Sequence, residues 1–276
     1  MKGLTICPTP LGNLSDISKR QLETLQNADI ILCEDTRSTG KLLERLEIRR
    51  IDGVPLLWSY HDHNESQRLV SIMESLSEGK KVVLVSDAGT PTISDPGFRV
   101  VAQARLEGFP VVALPGPVAA MVALSASGLP SDRVLFEGFL PAKRGERKKR
   151  LLSAKESAAT VLLYESPKRL RALLEDIGEI FEESPIVVGR ELTKKFESYY
   201  SGTAKEVLLK LPDPVKGECV VVISKTSKQV DHVDAKKLVH QLAKAGVNPK
   251  SIRSVVREHY GVSKKDIFNW LEELKS

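Results

Sequence analysis

Along the first 130 residues, short runs of β-branched and apolar residues alternate with segments in which apolar positions recur every three or four residues. That rhythm predicts a parallel sheet covered by helices. Strands are expected at LTIC, DIILC, LLWSY, KVVLVS and PVVAL. Helices are expected from about Ser15 to Asn27, Ser38 to Leu46, Asn64 to Glu78 and Gly97 to Glu107, with Asn64 as an N-cap and Gly79 and Gly108 as terminating residues. In α/β sheets ligands bind at the carboxyl ends of the strands. The loops CPTPLGN, CEDTR, SYHDHNE, SDAGTPTISDPG and LPGPVAA should therefore share one rim.

From about residue 131 the strand pattern continues with FEGFL, TVLLYE, PIVVGRE, ESYYSG and ECVVVIS, separated by only two or three helical stretches. A second α/β domain with a mixed sheet follows from that spacing. KTSKQVDHV reads as a polar linker, and three short helical segments come after it: DAKKLVHQLAKAG, NPKSIRSVVREHYG and SKKDIFNWLEELK. Pro249 suits a first helical turn, Ser263 with Asp266 resembles a capping box, and a turn containing Gly261 between two helices is compatible with a helix-turn-helix.

Charge changes this picture at two places. The formal net charge is +5 over 276 residues, and the whole excess lies beyond residue 224. A second basic focus, AKRGERKKR, sets Lys143, Arg144, Arg147, Lys148, Lys149 and Arg150 against Glu146 alone. Such clusters contact nucleic acid or form a solvated helix face. The three cysteines, Cys7, Cys33 and Cys219, each sit in an apolar stretch, which suggests buried free thiols in a reducing cytosol. The longest apolar tract is interrupted by Pro115, Gly116 and Pro117, so no membrane span is expected.

The loop SDAGTPTISDPG lacks both the glycine spacing and the lysine of the common phosphate cradles. Asp87 and Asp95 would repel phosphate and accept hydrogen bonds from an ammonium or from ribose hydroxyls. A cationic or hydroxyl-rich ligand fits, and a plain strand-to-helix turn is the alternative. In SYHDHNES, His61 and His63 stand beside carboxylates, but one short segment supplies every ligand and no distant Cys or His completes a metal site. No metal is expected. In CEDTR, Glu34, Asp35 and Arg37 form either an ion pair or a substrate contact. RELTKKFESYYSGT combines Lys194 and Lys195 with Tyr199 and Tyr200, as RNA-facing surfaces do, or forms a polar edge hairpin.

Taken in order, CPTPLGNLSDIS, CEDTR, YHDHNE, SDAGTPTISDPG, LPGPVAAMVALSASGLP, FEGFLPAK, YESPKRL, RELTKKFE and the late KGE resemble the RsmI branch of the tetrapyrrole methylase superfamily. The likeness runs from about residue 4 to 224. It implies an N-terminal α/β domain over 1–116, a C-terminal α/β domain over 117–226 completing a cleft for S-adenosyl-L-methionine (SAM), and a helix-turn-helix-like tail over 232–276. It further implies transfer of a methyl group to the ribose 2′-oxygen of a cytidine in the decoding region of 16S rRNA, by a cytoplasmic homodimer. By motif, the cofactor residues would be Pro10, Leu11, Asp87, Gly89, Thr90, Pro91, Asp95, Val118, Ala119, Tyr164 and Leu192. Candidates for the general base are Asp35, His63 and Glu191. Arg37, Lys143, Arg144, Lys148, Lys149, Arg150, Lys194 and Lys195 are expected on RNA. Two other readings remain at this point: a methylase of a corrin or other tetrapyrrole, and a DNA-binding regulator whose α/β body senses a ligand.

Overall fold

The computed structural model describes residues 3–225, 232–260 and 262–274. The first unit runs β1 (Gly3–Ile6), α1 (Lys19–Gln26), β2 (Ile30–Cys33), α2 (Thr36–Arg45), β3 (Leu56–Ser59), α3 (Glu65–Ser77), β4 (Lys81–Leu84), α4 (Phe98–Leu106) and β5 (Val111–Ala113). Its strands are all parallel, in the order β3-β2-β4-β1-β5. β2 and most of β4 are buried, as strands covered by helices on both faces must be.

The second unit continues with α5 (Ala119–Ser127), β6 (Val134–Phe139), α6 (Arg144–Glu156), β7 (Thr160–Glu165), α7 (Pro167–Ile180), β8 (Ile186–Arg190), β9 (Ser198–Gly202), α8 (Ala204–Lys210) and β10 (Cys219–Ile223). Its sheet is ordered β6-β7-β10-β8-β9 and is mixed: β6 and β7 run parallel, and the other pairs are antiparallel. The long apolar tract divides into β5, the Pro-Gly-Pro turn and α5, whose Ala120, Ala123 and Leu124 pack on the second sheet with Leu162, Val187 and Val222. No helix among the described residues is long and apolar enough to cross a membrane.

Three helices, α9 (His232–Lys244), α10 (Pro249–Tyr260) and α11 (Lys264–Glu272), enclose a separate core of Ala235, Val239, Ile252, Val256, Val262, Ile267, Trp270 and Leu271. Ser263 caps α11: its Oγ accepts from the Asp266 backbone N–H at 3.1 Å and donates to the Asp266 carboxylate at 2.6 Å. Most of the predicted linker, at 226–231, and the Gly261 turn lie outside the described residues.

Two local expectations need correction. The helix foreseen from Ser15 to Asn27 is split into a short 3-10 turn (Leu14–Asp16) and α1, because Ser18 forms a reciprocal capping box with Gln21 and starts a new helix there. Asn64 stands at the N-cap of α3, but its side chain turns back to accept from the His61 N–H at 2.9 Å and to donate to the Ser59 carbonyl at 3.1 Å. Gly79 and Gly108 do follow α3 and α4 with φ of 77° and 78°, the left-handed conformation that ends a helix. All three cysteines are free and buried, and burial pushes the Cys7 thiol up to about 12.

Candidate active site

Strand order decides which loops meet. Because β2, β4 and β1 are neighbours, the loops that leave their carboxyl ends converge: CEDTR, SDAGTPTISDPG and CPTPLGN. CPTPLGN and SDAGTPTISDPG are tied by backbone. Thr9 and Gly89 exchange N–H···O bonds at 2.9 and 3.0 Å, and the Thr9 hydroxyl donates to the Ser86 carbonyl at 3.1 Å. Gly89 has φ of 85°, and a Cβ there would stand 3.1 Å from Leu11 Cδ2, so a side chain would crowd the cavity wall. Thr92 and Ser94 also take positive φ, 75° and 64°. For a β-branched residue this costs on the order of 1–3 kcal/mol, a strain that concentrates at ligand sites.

The second unit closes over this loop. β6 carries a bulge between Phe136 and Gly138, and Gly138 has φ of 62° with only 3.0 Å between its virtual Cβ and Ser94 Oγ. The Thr90 hydroxyl donates to the Pro117 carbonyl at 2.8 Å, and Tyr164 Oη accepts from the Ala120 N–H at 3.2 Å.

Two cavities result, sharing Leu11. The inner one, about 310 Å³, lies between the units and is lined by Gly89, Thr90, Asp95, Val118, Ala119 and Tyr164 together with Ile93, Phe139 and Val220. It is mostly apolar, with Asp95, Glu165 and Glu218 as the acidic residues of its wall. The outer one, about 540 Å³, is lined by Pro10, Asp35, Arg37, Lys41, Arg45 and Asp87. Asp87 therefore faces the outer space and Asp95 the inner. Pro91 is buried, and Leu192 is buried beside Val220 and Tyr164, so these two back the cavities and do not line them. Lys41 and Arg45 escaped the sequence reading. They follow Arg37 at helical spacing along α2, which is the signal that would have found them.

The electrostatics separate adjacent acids. Asp35 caps α2, and its carboxylate takes bonds from Arg37 at the backbone N–H (2.8 Å), Nε (3.2 Å) and Nη2 (3.0 Å). Those bonds hold its pKa down at about 2. Its neighbour Glu34 is half-buried at the end of β2, and burial, reinforced by the charges of Asp95, Asp87 and Asp62, raises its pKa to about 7. Burial likewise raises Asp95 to about 6, with Asp87 adding to the effect. Glu34 thus feels a carboxylate of each cavity. Glu191 is held below its usual range: burial would raise it, but Lys194 at 3.0 Å and the Glu218 N–H at 3.0 Å outweigh that. His63 is exposed on the loop after the edge strand β3, its ring 6.0 Å from that of His61.

The basic run of α6 is not the free patch that its one-to-six acid count suggested. Arg144 and Arg147 both clamp Asp176 of α7, each Nε at 2.8 Å, and Arg144 also reaches Glu179 at 2.6 Å. Lys148 pairs with Glu179, Arg150 with Glu137, and Lys143 with Glu146 at 3.5 Å. Apart from Glu146 the acids come from other elements, so the linear count could not include them. Lys149 is exposed, and no ion pair joins it to a described residue. Lys194 bridges Glu191 and Glu218, whereas Lys195 is exposed with its ammonium 5.7 Å from the Phe196 ring.

A paired inner and outer cavity suits a donor and an acceptor substrate. The inner wall fits SAM by chemistry: carboxylate for sulfonium and ammonium, an apolar face for the adenine, and a glycine where a Cβ would intrude. Residues 3–208 match the family described as Tetrapyrrole (Corrin/Porphyrin) Methylases. The chain is 42% identical over 275 residues, 98% of its length and 94% of the relative's, to a ribosomal RNA small subunit methyltransferase I of Escherichia coli O157:H7. It is 39% identical to the protein of that name from Bacillus subtilis, over 96% and 92% of the two chains. Among solved structures, diphthine synthase superposes with a TM-score of 0.63 at 17% identity, covering 81% of this chain and 90% of that one, which supports the fold. The chain belongs to the tetrapyrrole (corrin/porphyrin) methylase family and is a methyltransferase that uses SAM.

Proposed function

We propose that this chain methylates the ribose 2′-oxygen of a cytidine in the decoding region of 16S rRNA, acting on the small ribosomal subunit in the cytoplasm as a homodimer. The observation that carries this is the near full-length similarity, tail included, to proteins named as small-subunit rRNA methyltransferases. The outer cavity supports it, because Lys41 and Arg45 offer cations where a nucleotide phosphate would approach.

In this reading Gly89, Thr90, Asp95, Val118, Ala119 and Tyr164 hold SAM, Pro10, Leu11 and Asp87 form the boundary with the acceptor, and Pro91 and Leu192 support them from behind. When bound, SAM supplies a methyl carbon made electrophilic by its sulfonium. The chain aligns the acceptor oxygen against it and excludes water, which by itself lowers the barrier by several kcal/mol. Glu34 would accept the proton of the 2′-hydroxyl as the O–C bond forms and the methyl carbon–sulfur bond breaks, its electron pair leaving with the sulfur. We assign the base to Glu34 ahead of the three sequence candidates, because its carboxylate follows β2 against the Asp87 backbone where the cavities adjoin, whereas Asp35 and Glu191 are committed to cation pairs and His63 lies at the sheet edge. A base with a pKa near 7 is also the better matched to neutral pH.

The test combines unmodified 30S subunits with labelled SAM and maps the label by nuclease-resistant dinucleotides. Label at the 2′-oxygen of a decoding-region cytidine is expected, and label absent from RNA would overturn the reading. Glu34→Gln should lower kcat by about a hundredfold or more while SAM affinity holds. The wild-type rate should rise through about pH 7 as Glu34 loses its proton, and this variant should lack that rise.

A further inference from the structure

The tail presents a cationic groove that the methylase body does not explain. α10 turns Ile252 and Val256 into the tail core, and α11 does the same with Ile267, Trp270 and Leu271. The opposite faces meet in a surface groove of about 880 Å³ lined by Lys250, Arg253, Arg257, Lys264, Lys265 and Phe268. Lys250, Arg253 and Arg257 follow one another at steps of three and four residues, so they form a single stripe along α10. Lys264, Lys265 and Phe268 sit together on the first turns of α11. Among the described residues no acid lines the groove, and no ion pair joins any of its five cations to a described residue. Within the cations, Phe268 is 51% exposed. Five unneutralised charges repel one another, and an exposed aromatic ring gains nothing in water. A polyanion carrying flat apolar faces relieves both.

We propose that the α10/α11 groove binds the phosphate backbone of single-stranded rRNA and stacks an unpaired base on Phe268. The cations neutralise successive phosphates without reading sequence, and the ring receives one base because every base offers a π-face. The groove thereby anchors the substrate strand while the cavities of the body do the chemistry. This rests on the reading of the chain as an rRNA methyltransferase.

The test uses the full-length protein with deproteinised 16S rRNA and with intact 30S subunits, measuring affinity across a potassium chloride series. The variant R253A/R257A/K264A should lower the slope of log affinity against log salt by about 2, near 0.7 for each lost single-strand contact. The charge-conserving R253K/R257K/K264R should keep the slope, which separates charge from folding. Phe268→Leu should weaken binding by about tenfold at unchanged slope. SAM affinity should be the same in all of them. An unchanged slope in the alanine variant, with wild-type rRNA binding intact, overturns the groove and leaves the enzyme's function standing. Loss of 30S binding alone, with naked rRNA still bound normally, also overturns it, because the groove then contacts a ribosomal protein. If the wild type binds neither RNA nor subunits, the groove and the rRNA reading fall together.

Discussion

α6 and the α10/α11 groove each gather several lysines and arginines, and folding treats them in opposite ways. On α6 the cations meet Asp176, Glu179 and Glu137 from neighbouring elements, and the helix becomes a buried and surface ion-pair network that fastens α6 to α7 and β6. In the groove the cations meet one another and an exposed ring. A basic run in a sequence is therefore evidence about charge and not about availability. What settles availability is whether acidic residues distant in sequence come within about 4 Å, where two unit charges attract by about 4 kcal/mol near a protein surface.

The largest effect that can break this contrast is at Asp176, which is fully buried between two guanidinium groups. Asp176→Asn should destabilise the second unit by about 3–5 kcal/mol, read from the urea midpoint, because it strands buried Arg147 without its counter-charge. The pH dependence has a defined sign. Burial would raise the Asp176 pKa, but the bonds from Arg144 and Arg147 prevail and lower it. Its stabilisation is thus complete above the ordinary aspartate value near 4 and is lost as pH falls below that. The Asn variant should lose that part of the acid sensitivity. If it unfolds at the wild-type midpoint, α6 is not held as described.

Reversing charge in the groove with R253E/R257E should weaken 16S rRNA binding by about tenfold or more at moderate salt while the urea midpoint stays put. That is the mirror image of the Asp176 result: large on binding, small on stability. Glu179→Gln sharpens the contrast from the other side. It releases Arg144 and Lys148 from a half-exposed partner, so stability should fall by no more than about 1 kcal/mol and rRNA affinity should rise about two- to threefold. Lys149→Ala, which removes the single α6 cation that no described acid neutralises, should change rRNA affinity by less than about twofold, measured by filter binding. A tenfold loss there would restore α6 as the RNA surface.

The two acids at the end of β2 repeat the lesson on a smaller scale. Glu34 and Asp35 are adjacent carboxylates, yet one is raised to about 7 and the other held at about 2. Asp35 was legible as half of an ion pair with Arg37, since both lie in the same turn. The raised pKa of Glu34 was not legible, because its neighbours Asp87, Asp95 and Asp62 arrive from two other loops. In the same way Gly89 and Thr90 could be placed at a ligand by motif, whereas the division that gives Asp95 to the inner cavity and Asp87 to the outer depends on how the second unit closes. The helix start at Ser18 was misread, and Asn64 stands at its expected N-cap without a side-chain capping bond, for a simpler reason: competing side-chain to backbone bonds, whose geometry the periodic pattern does not encode.

The sequence by itself determined the element order, the parallel character of the first sheet, the mixed character of the second and the identity of the rim loops. Those follow from local periodicity, crossover length and turn residues, all of which act over a few positions. Only the tertiary structure decided that β2, β4 and β1 stand side by side, so that three loops far apart in the chain form one acidic junction between two cavities. It also decided that the basic run of α6 is spent on α7 and β6 while the groove of the tail stays open. Electrostatic attraction depends on distance in space and on burial, and neither is a property of position along the chain.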